Sequence, residues 1–194
     1  MTKKEEFIKI YNENIKREGA DKLLNYLQNS DFFTAPASTR FHCAYAGGLC
    51  EHSVNVYYRL LKNIESEYGT NFESVISKET IAICALLHDL CKIDFYKTEL
   101  RNVKENGAWV QKEYYARNEL LPYGHGEKSV YIINGFIRLT REEAMAINWH
   151  MGGFDTRVKG GDGSISEAFA IYPLILLLHL SDLQATYIDE KRGE

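Results

Sequence analysis

The chain has 194 residues, of which 45% are hydrophobic and 12% aromatic, which is enough for one well-filled core and short for two. Lysine and arginine total 23 against 27 aspartate and glutamate, a formal net charge of −4. This balance excludes the global basic field that drives generic duplex binding, whereas a short single strand or a nucleotide in a local pocket stays compatible with it. We therefore predict a single domain.

The first part of the chain is predicted to be helical on both sides of a loop. "MTKKEEFIKI" has a charged helical pattern without the apolar segment of a secretory signal, and a second short helix follows Gly19, so two helices are expected within residues 3–30. "DFFTAPASTRF" breaks the pattern at Pro36 and is expected to be a loop leading to His42. Helical spacing resumes at "GGLCEHSVNVYYRLLKNIESEY", and Ser77 stands where it can cap the helix in "SKETIAICALLHDL".

The pattern changes between residues 97 and 116. "TELRNVKENGAWVQKEYY" places Asn106 and Gly107 between two alternating, aromatic segments, which is typical of a two-residue hairpin. Helices are expected again in "GHGEKSVYIINGFIRL" and "TREEAMAINWH", and a last helix runs from about Ser166 through "LILLLHLSDLQATYI". The glycine-rich "MGGFDTRVKGGDGS" between them is expected to be a mobile lid or a merely flexible connection. The sequence therefore predicts an all-α helical bundle with one small inserted β-hairpin.

The cysteines and the apolar runs indicate a soluble, cytoplasmic protein. The longest apolar run, "YPLILLLHL" at 172–180, is too short to span a bilayer, so no membrane association is expected. The four cysteines form no CxxC pair and are predicted to be reduced thiols packed as small apolar groups; they are Cys43, Cys50, Cys84 and Cys91.

Two titratable residues, His88 and Asp89, stand side by side in "LLHDLCK", a run whose other residues indicate the interior of a protein. Burying an unpaired charge costs several kcal/mol, so such groups are normally paired, hydrogen-bonded or bound to a metal. Asp182 raises the same question, because it lies inside the most hydrophobic segment of the chain.

Other histidines supply candidate partners: His52 lies near the start of one helix, and His125 and His150 lie at the ends of others. Neighbouring helical residues diverge by about 100°, so the His88–Asp89 pair cannot form a site alone. Convergence of these side chains would create an imidazole and carboxylate shell suited to zinc, iron, manganese or nickel. A second ion sharing one carboxylate, roughly 3.5–4 Å from the first, would be well placed to clamp a phosphate and activate water.

The ordered histidines and aspartates, in the contexts "GGLCEHS", "LLHDLCK", "GHGEKS", "NWHMGG" and "HLSDLQA", resemble the HD-domain metal-dependent phosphohydrolases, most closely their prokaryotic and phage-type members. The resemblance covers about residues 38–188, the expected core of a domain over residues 1–194. It implies an all-α fold of five or more core helices around a site for one or two divalent transition metals (Mn, Fe, Ni, Co or Zn).

The resemblance also implies a role for each matching position. The first metal would be held by His52, His88, Asp89 and Asp182, and the second by His125 and His150 with Asp89 as the bridge. As catalytic residues, Asp89 would also orient the nucleophilic water and Lys92 would face the substrate phosphate, with a solvated helix end as the alternative for Lys92. Arg40, His42 and Lys128 are further candidates for substrate contact, although Lys128 is expected to be exposed. His179, three residues before Asp182, is expected to have a structural role or to hydrogen-bond behind the metal ligands.

This pattern favours a phosphohydrolase that cleaves a phosphate ester or phosphodiester of a nucleotide or short oligonucleotide through metal-activated water. The expected partner is a small-molecule phosphate ester, with a short single-stranded oligonucleotide also open. Two alternatives remain: a diiron oxygenase of the same superfamily, and a non-catalytic ligand-binding protein in which the metal is structural.

Overall fold

The fold was obtained as a computed structural model, which describes residues 1–190; the last four residues of the predicted domain lie outside this range. The described part is mostly helical, with one two-stranded antiparallel sheet. Its elements are α1 (Lys3–Asn14), α2 (Ala20–Asn29), α3 (Gly48–Tyr68), α4 (Lys78–Leu87), β1 (Tyr96–Glu105), β2 (Ala108–Arg117), α5 (His125–Asn134), α6 (Arg141–Trp149), α7 (Thr156–Lys159), α8 (Ser164–Ile171) and α9 (Pro173–Gln184). The predicted helical bundle with an inserted hairpin is therefore confirmed.

Side-chain caps fix where several helices begin. Ser77 accepts a hydrogen bond from the backbone of Thr80, as predicted, and Thr140 forms a capping box with Glu143 at the start of α6. Gly19 precedes α2 with φ of +88°, a left-handed conformation that glycine adopts without the steric cost of a side chain. Local sequence thus sets the start of each of these helices.

The helix α3 lies at the centre of the bundle and packs against α1, α4 and α9. Its partner α4 is apolar on every side, with residues 81–87 buried, so it forms the inner layer of the core. The helix α6 packs against α4, α5 and α9. These contacts bring the C-terminal end of α4, where His88 and Asp89 follow, into the middle of the bundle.

The hairpin follows the predicted pattern. Tyr96 pairs with Arg117 and Glu105 with Ala108, and the two residues between the strands, Asn106 and Gly107, have φ of +49° and +86°. Two consecutive positive φ values are characteristic of a type I′ turn, whose twist matches that of a hairpin. The Tyr96 hydroxyl donates to the carbonyl of Ala37 over 3.2 Å, which ties the base of the hairpin to the loop before α3.

The single last helix expected from about Ser166 is wrong: the structure breaks it into α8 and α9. Tyr172 has φ of −128° and ψ of +88°, and Pro173 is the first residue of α9. Proline lacks a backbone donor, and it disfavours the helical conformation in the residue before it, so the chain turns here. The helix α9 continues into a π-helical turn, Ala185–Asp189.

Within residues 1–190, no single helix is both long and apolar enough to cross a membrane. One bent pair, Ser164–Ile171 with Pro173–Asp189, reaches that length and composition when taken together, but its members meet at 106°.

The glycine-rich segment after α6 contains the helix α7 and is anchored by Arg157. That guanidinium forms ion pairs with Asp155 and Glu127, both at 2.7 Å, and lies 3.9 Å from the centroid of the Trp149 ring. Arg157 also donates to the carbonyl of Asn148 over 3.0 Å. The segment is therefore held against α5 and α6.

Candidate metal centre

Five helices deliver the six predicted metal ligands to one place. His52 lies in the second turn of α3, His88 directly follows α4, His125 begins α5, His150 directly follows α6 and Asp182 lies in α9. Asp89 starts a 3₁₀ turn, Leu90–Lys92, and its φ of −104° and ψ of +20° depart from the helix. Adjacent residues of a straight helix diverge by about 100°, and this bend turns Asp89 toward the point that His88 faces.

The Asp89 carboxylate lies at the centre of the cluster and is 2% exposed. Its Oδ1 atom lies 2.8 Å from Nε2 of His125 and 3.7 Å from Nε2 of His150. Its Oδ2 atom lies 3.5 Å from Nε2 of His88 and 3.7 Å from Nε2 of His52. Each carboxylate oxygen thus faces a different pair of histidines, which is the arrangement of a carboxylate that bridges two cations.

Asp182 completes the shell on the other side of His52. Its Oδ1 atom lies 3.2 Å from Nε2 of His52, and its side chain is 16% exposed. Among the described residues, donor atoms within 4.8 Å of one another form four groups that could each hold a cation: His52 with His88 and Asp89; His88 with His150 and Asp182; Asp89 with His125 and His150; and His42 with His52 and Glu190. These overlapping groups contain all six residues predicted from sequence.

The histidine rings are held so that their Nε2 atoms face the centre. Nδ1 of His88 donates to the carbonyl of Ala85 over 2.8 Å, and Nδ1 of His150 donates to that of Ile147 over 2.7 Å. These bonds place the proton of each ring on Nδ1, so each Nε2 lone pair can accept a proton or a cation; Nε2 of His88 lies 3.3 Å from Nε2 of His52. Nε2 of His150 is buried and has no hydrogen-bond partner among the described residues. A buried, unpartnered imidazole nitrogen facing carboxylates fits a bound divalent cation.

Burial and charge set the protonation of the cluster. Burial lowers the pKa of His88 to about 3, so this ligand is neutral. Burial alone would raise the pKa of Asp89, but Lys92 and the surrounding histidines hold it well below its usual range. At His52, burial is outweighed by hydrogen bonds to Asp182 and Glu190, which raise the pKa to about 10. A metal must therefore displace a proton from His52.

His125 has a similar balance. Burial disfavours its charged form, but the Cys91 sulfur and the Asp89 carboxylate outweigh this and raise its pKa to about 10. Cations bound on both sides of Asp89 would replace this positive charge. The buried carboxylates of the cluster therefore need positive charge beside them. Protonated His52 and His125 supply that charge when no metal is bound.

Lys92 is not a solvated helix end. Its Nζ atom lies 2.6 Å from Oδ2 of Asp89, and its side chain is 11% exposed. Burial would lower its pKa, but the Asp89 carboxylate raises it above the usual value, so the ammonium stays charged. The 3₁₀ turn after Asp89 positions this cation beside the cluster.

The three predicted substrate contacts lie in different settings. The His42 ring lies 4.8 Å from that of His52, and its Nε2 atom is buried without a hydrogen-bond partner in residues 1–190. Burial, followed by the nearby charge of His52, lowers the His42 pKa to about 4. Arg40 is exposed, with its guanidinium 5.1 Å from the centroid of the Phe41 ring. Of the two, His42 reaches the cluster.

The expectation that Lys128 is exposed is wrong. The residue is 5% exposed, and its Nζ atom lies 2.7 Å from Glu119 and 5.1 Å from the centroid of the Phe95 ring. The segments on either side of the hairpin cover it, a tertiary contact that local sequence does not indicate.

His179 contacts the backbone of a candidate ligand instead of the candidate cation positions, in line with the expected structural role. Its Nδ1 atom donates to the carbonyl of His150 over 2.7 Å. Its ring also lies against Gly152, where an added Cβ would come within 2.4 Å of the imidazole. His179 therefore fixes the backbone that carries His150.

Two residues missed by sequence reasoning position the ligands: Glu190, which contacts Nδ1 of His52 over 3.0 Å, and Gly126. Gly126 follows His125 at the start of α5 and packs directly on α6. A Cβ at this position would lie 2.1 Å from the carbonyl oxygen of Asn148. The small residue therefore lets α5 approach α6 closely enough to bring His125 to Asp89, and the "GHG" motif was the available signal.

Gly126→Ala is expected to displace α5 and move His125 by about 1 Å, because real Cβ contacts are much longer than 2.1 Å. A misplacement of this size typically lowers turnover by roughly 10²-fold. Titration of Mn²⁺ into the metal-free protein would show the change directly as weaker binding of one equivalent. Gly153→Ala is the matched control, since an added Cβ there meets nothing within 4 Å; equal losses in both variants would contradict the packing argument.

Comparison with known protein families places most of the chain in one of them. The family model of the HD domain matches residues 49–183, which is more than half of the chain and spans α3 to α9. No curated protein and no solved structure gave a match to the chain. The matched range holds all six converging candidate ligands and Lys92. This chain belongs to the HD domain family, and with it to the superfamily of metal-dependent hydrolases.

Proposed function

We propose that this protein is a phosphohydrolase that cleaves a phosphate ester or phosphodiester of a nucleotide or short oligonucleotide. The observation that carries the proposal is the Asp89 carboxylate, whose two oxygens face separate histidine pairs while Lys92 lies 2.6 Å away. A cation cluster with an adjoining fixed ammonium is suited to binding and polarising a phosphoryl group.

In the proposed reaction, the charge of each residue determines what it does. His52, His88, Asp89 and Asp182 would hold one divalent cation, and Asp89, His125 and His150 a second. Such cations, when bound, supply Lewis-acid activation of a water nucleophile and of the phosphoryl oxygen. Asp89 orients the water by accepting its hydrogen bond, and it keeps the Lys92 ammonium in place. Lys92 then stabilises the negative charge that grows on the phosphoryl oxygens in the transition state.

Substrate contacts are assigned by position. His42 adjoins His52 and presents a buried Nε2 atom without a partner in the described chain, so it is the strongest candidate to hydrogen-bond the substrate. Arg40, two residues earlier and exposed, would meet a further phosphate or a nucleotide chain from the solvent side. Lys128, paired with Glu119, would contact substrate after exchanging that partner.

The test combines metal analysis with an activity panel. Freshly purified protein is analysed for Mn, Fe, Ni, Co and Zn, and release of phosphate and nucleoside from nucleotides and phosphodiesters is assayed with each metal. About two equivalents of metal with release from one substrate class would support the proposal. Turnover that needs iron and oxygen without phosphate release would replace it with the oxygenase alternative. Tight metal binding without turnover on any substrate would favour a structural metal.

Lys92→Ala is expected to retain the metal and to lower kcat by roughly 10²-fold, because it removes one fixed donor to the developing charge. The ligand set does not include Lys92, so metal content measured by elemental analysis should match the wild type. Lys97→Ala is the control, since Lys97 is an exposed hairpin lysine. Loss of metal together with activity would assign Lys92 to maintaining the centre instead.

A further inference from the structure

The candidate metal-binding histidines differ in how their Nδ1 atoms are held. His88 and His150 each donate Nδ1–H to a carbonyl three residues earlier in their own helix. Nδ1 of His52 instead lies 3.0 Å and 3.2 Å from the two carboxylate oxygens of Glu190, a residue 138 positions further along the chain. His52 is therefore oriented by a side chain that is distant in the sequence, whereas His88 and His150 are oriented by the backbone of their own helices.

Glu190 is held firmly at this position. Its side chain is fully buried, and its Oε1 atom accepts a hydrogen bond from Nδ2 of Asn55 over 3.1 Å. Its backbone N–H donates to the carbonyl of Ala185 and closes the π-helical turn that follows α9. A buried carboxylate with these contacts is a built part of the site, not a surface acid.

The contacts that dock this turn come from one face of α3. His52, Asn55 and Arg59 follow the spacing i, i+3 and i+7, so their side chains line up along the helix. Arg59 forms an ion pair with Asp189, next to Glu190. One turn of helix later, Asn63 donates to Ser181 and Gln184 of α9. The same face of α3 thus positions Glu190 and carries the ligand His52.

We infer that Glu190 is a positioning residue that sets the affinity of the cation held by His52. A carboxylate at Nδ1 keeps the proton on that nitrogen, so the Nε2 lone pair faces Asp89 and Asp182. It also increases the basicity of the imidazole, which strengthens its bond to a cation. This inference rests on the metal centre of the proposed function and adds a residue outside the six ligands. It also makes the π-helical turn after α9 part of the site.

The test measures Zn²⁺ affinity by competition with a chromogenic chelator in the full chain. Glu190→Gln keeps the size of the side chain, but removes its charge and can present an amide donor to Nδ1. We expect it to weaken Zn²⁺ binding by about 10- to 100-fold, the usual effect of losing such a partner. Asn55→Ala removes one of the bonds that hold Glu190 and is expected to weaken binding less, in the same direction.

Asp189→Asn is the matched control, because it removes the neighbouring carboxylate that pairs with Arg59 and leaves Glu190 intact. The Arg59–Asp189 pair helps only to dock the turn, so its loss should weaken Zn²⁺ binding much less than the loss of the Glu190 carboxylate. The Nδ1 proton resonance of His52 in the zinc-loaded protein should move upfield in Glu190→Gln and stay unchanged in Asp189→Asn, a shift that a purely structural role would not produce. Circular dichroism confirms folding, and Asn55→Ala tests the inference if Glu190→Gln does not fold.

Three results would overturn the inference: wild-type affinity in Glu190→Gln, equal losses in Glu190→Gln and Asp189→Asn, or no Zn²⁺ binding by the wild type. The last result would also remove the metal centre of the proposed function. A wild-type protein that binds Zn²⁺ but hydrolyses no phosphate ester overturns the proposed function alone, and the comparison of Glu190 variants still decides the role of that residue.

Discussion

Asp89→Ala is expected to lower turnover to below about one thousandth of the wild-type rate and to remove most of the bound metal. Asp89 is the one carboxylate in the described cluster whose oxygens face both histidine pairs, at 2.8 to 3.7 Å. Its loss therefore affects both cation positions at once, and residues that act as a unit lose nearly all activity when one is removed. Elemental analysis and phosphate release measured on the same preparation check both effects.

The control for this prediction is Asp21→Ala, which removes an exposed carboxylate from the first turn of α2. It should retain both metal and turnover. Asp89→Asn tests whether the negative charge of this side chain is needed or only its size. The amide keeps the volume of the side chain but cannot bridge two cations as a carboxylate does. Full metal content and full rate in Asp89→Ala would show that the cluster is not the active centre.

The candidate metal centre could be predicted from sequence because its residues are polar and titratable but lie in apolar segments. A histidine and an aspartate in "LLHDLCK", and Asp182 in an apolar helix, need partners if they are buried. The structure brings these residues together with His52, within the range that the HD domain model matches. Local chemistry likewise allowed the prediction of the Ser77 cap and the Asn106–Gly107 turn, since each depends on neighbouring residues alone.

The residues that were missed depend on tertiary packing. Glu190 is one acidic residue among 27 acidic residues of the chain, and its partner His52 lies on another helix. The burial of Lys128 depends on Glu119 and Phe95, which reach it through the fold around the hairpin. Contacts between residues far apart in sequence leave no periodic signal, so single-sequence patterns do not reveal them.

The break at Pro173 has a different cause, because the signal was present in the sequence. A proline normally ends a helix at the residue before it, but the apolar spacing continues on both sides and favours one long helix. In the structure the backbone constraint of Pro173 ends the helix, and α8 and the segment that begins with α9 meet at 106°. The break separates α8 from α9, which leaves α9 to pack against α3 and α6 with Asp182 facing the centre.

Arg17→Ala is expected to lower the free energy of unfolding by about 3 kcal/mol, since it leaves a buried carboxylate without its cation. Arg17, in the turn before α2, lies 2.8 Å and 3.0 Å from the oxygens of Glu143, whose side chain is fully buried in α6. Breaking such a pair typically costs about 3–5 kcal/mol. The lower end applies because Arg17 is 19% exposed, and because Thr80 and the Thr140 backbone still donate to Glu143.

Urea unfolding followed by circular dichroism measures this change as a lower midpoint at an unchanged slope. Lys9→Ala is the control, because its pair with Glu13 joins two side chains that are each 60% exposed and should not alter the midpoint measurably. Equal midpoints for the two variants would mean that the Arg17–Glu143 pair contributes no more to stability than the exposed Lys9–Glu13 pair. A large loss in Arg17→Ala alone would show that the N-terminal helices, which precede the range matched by the family model, are joined energetically to α4 and α6, the helices that His88 and His150 follow.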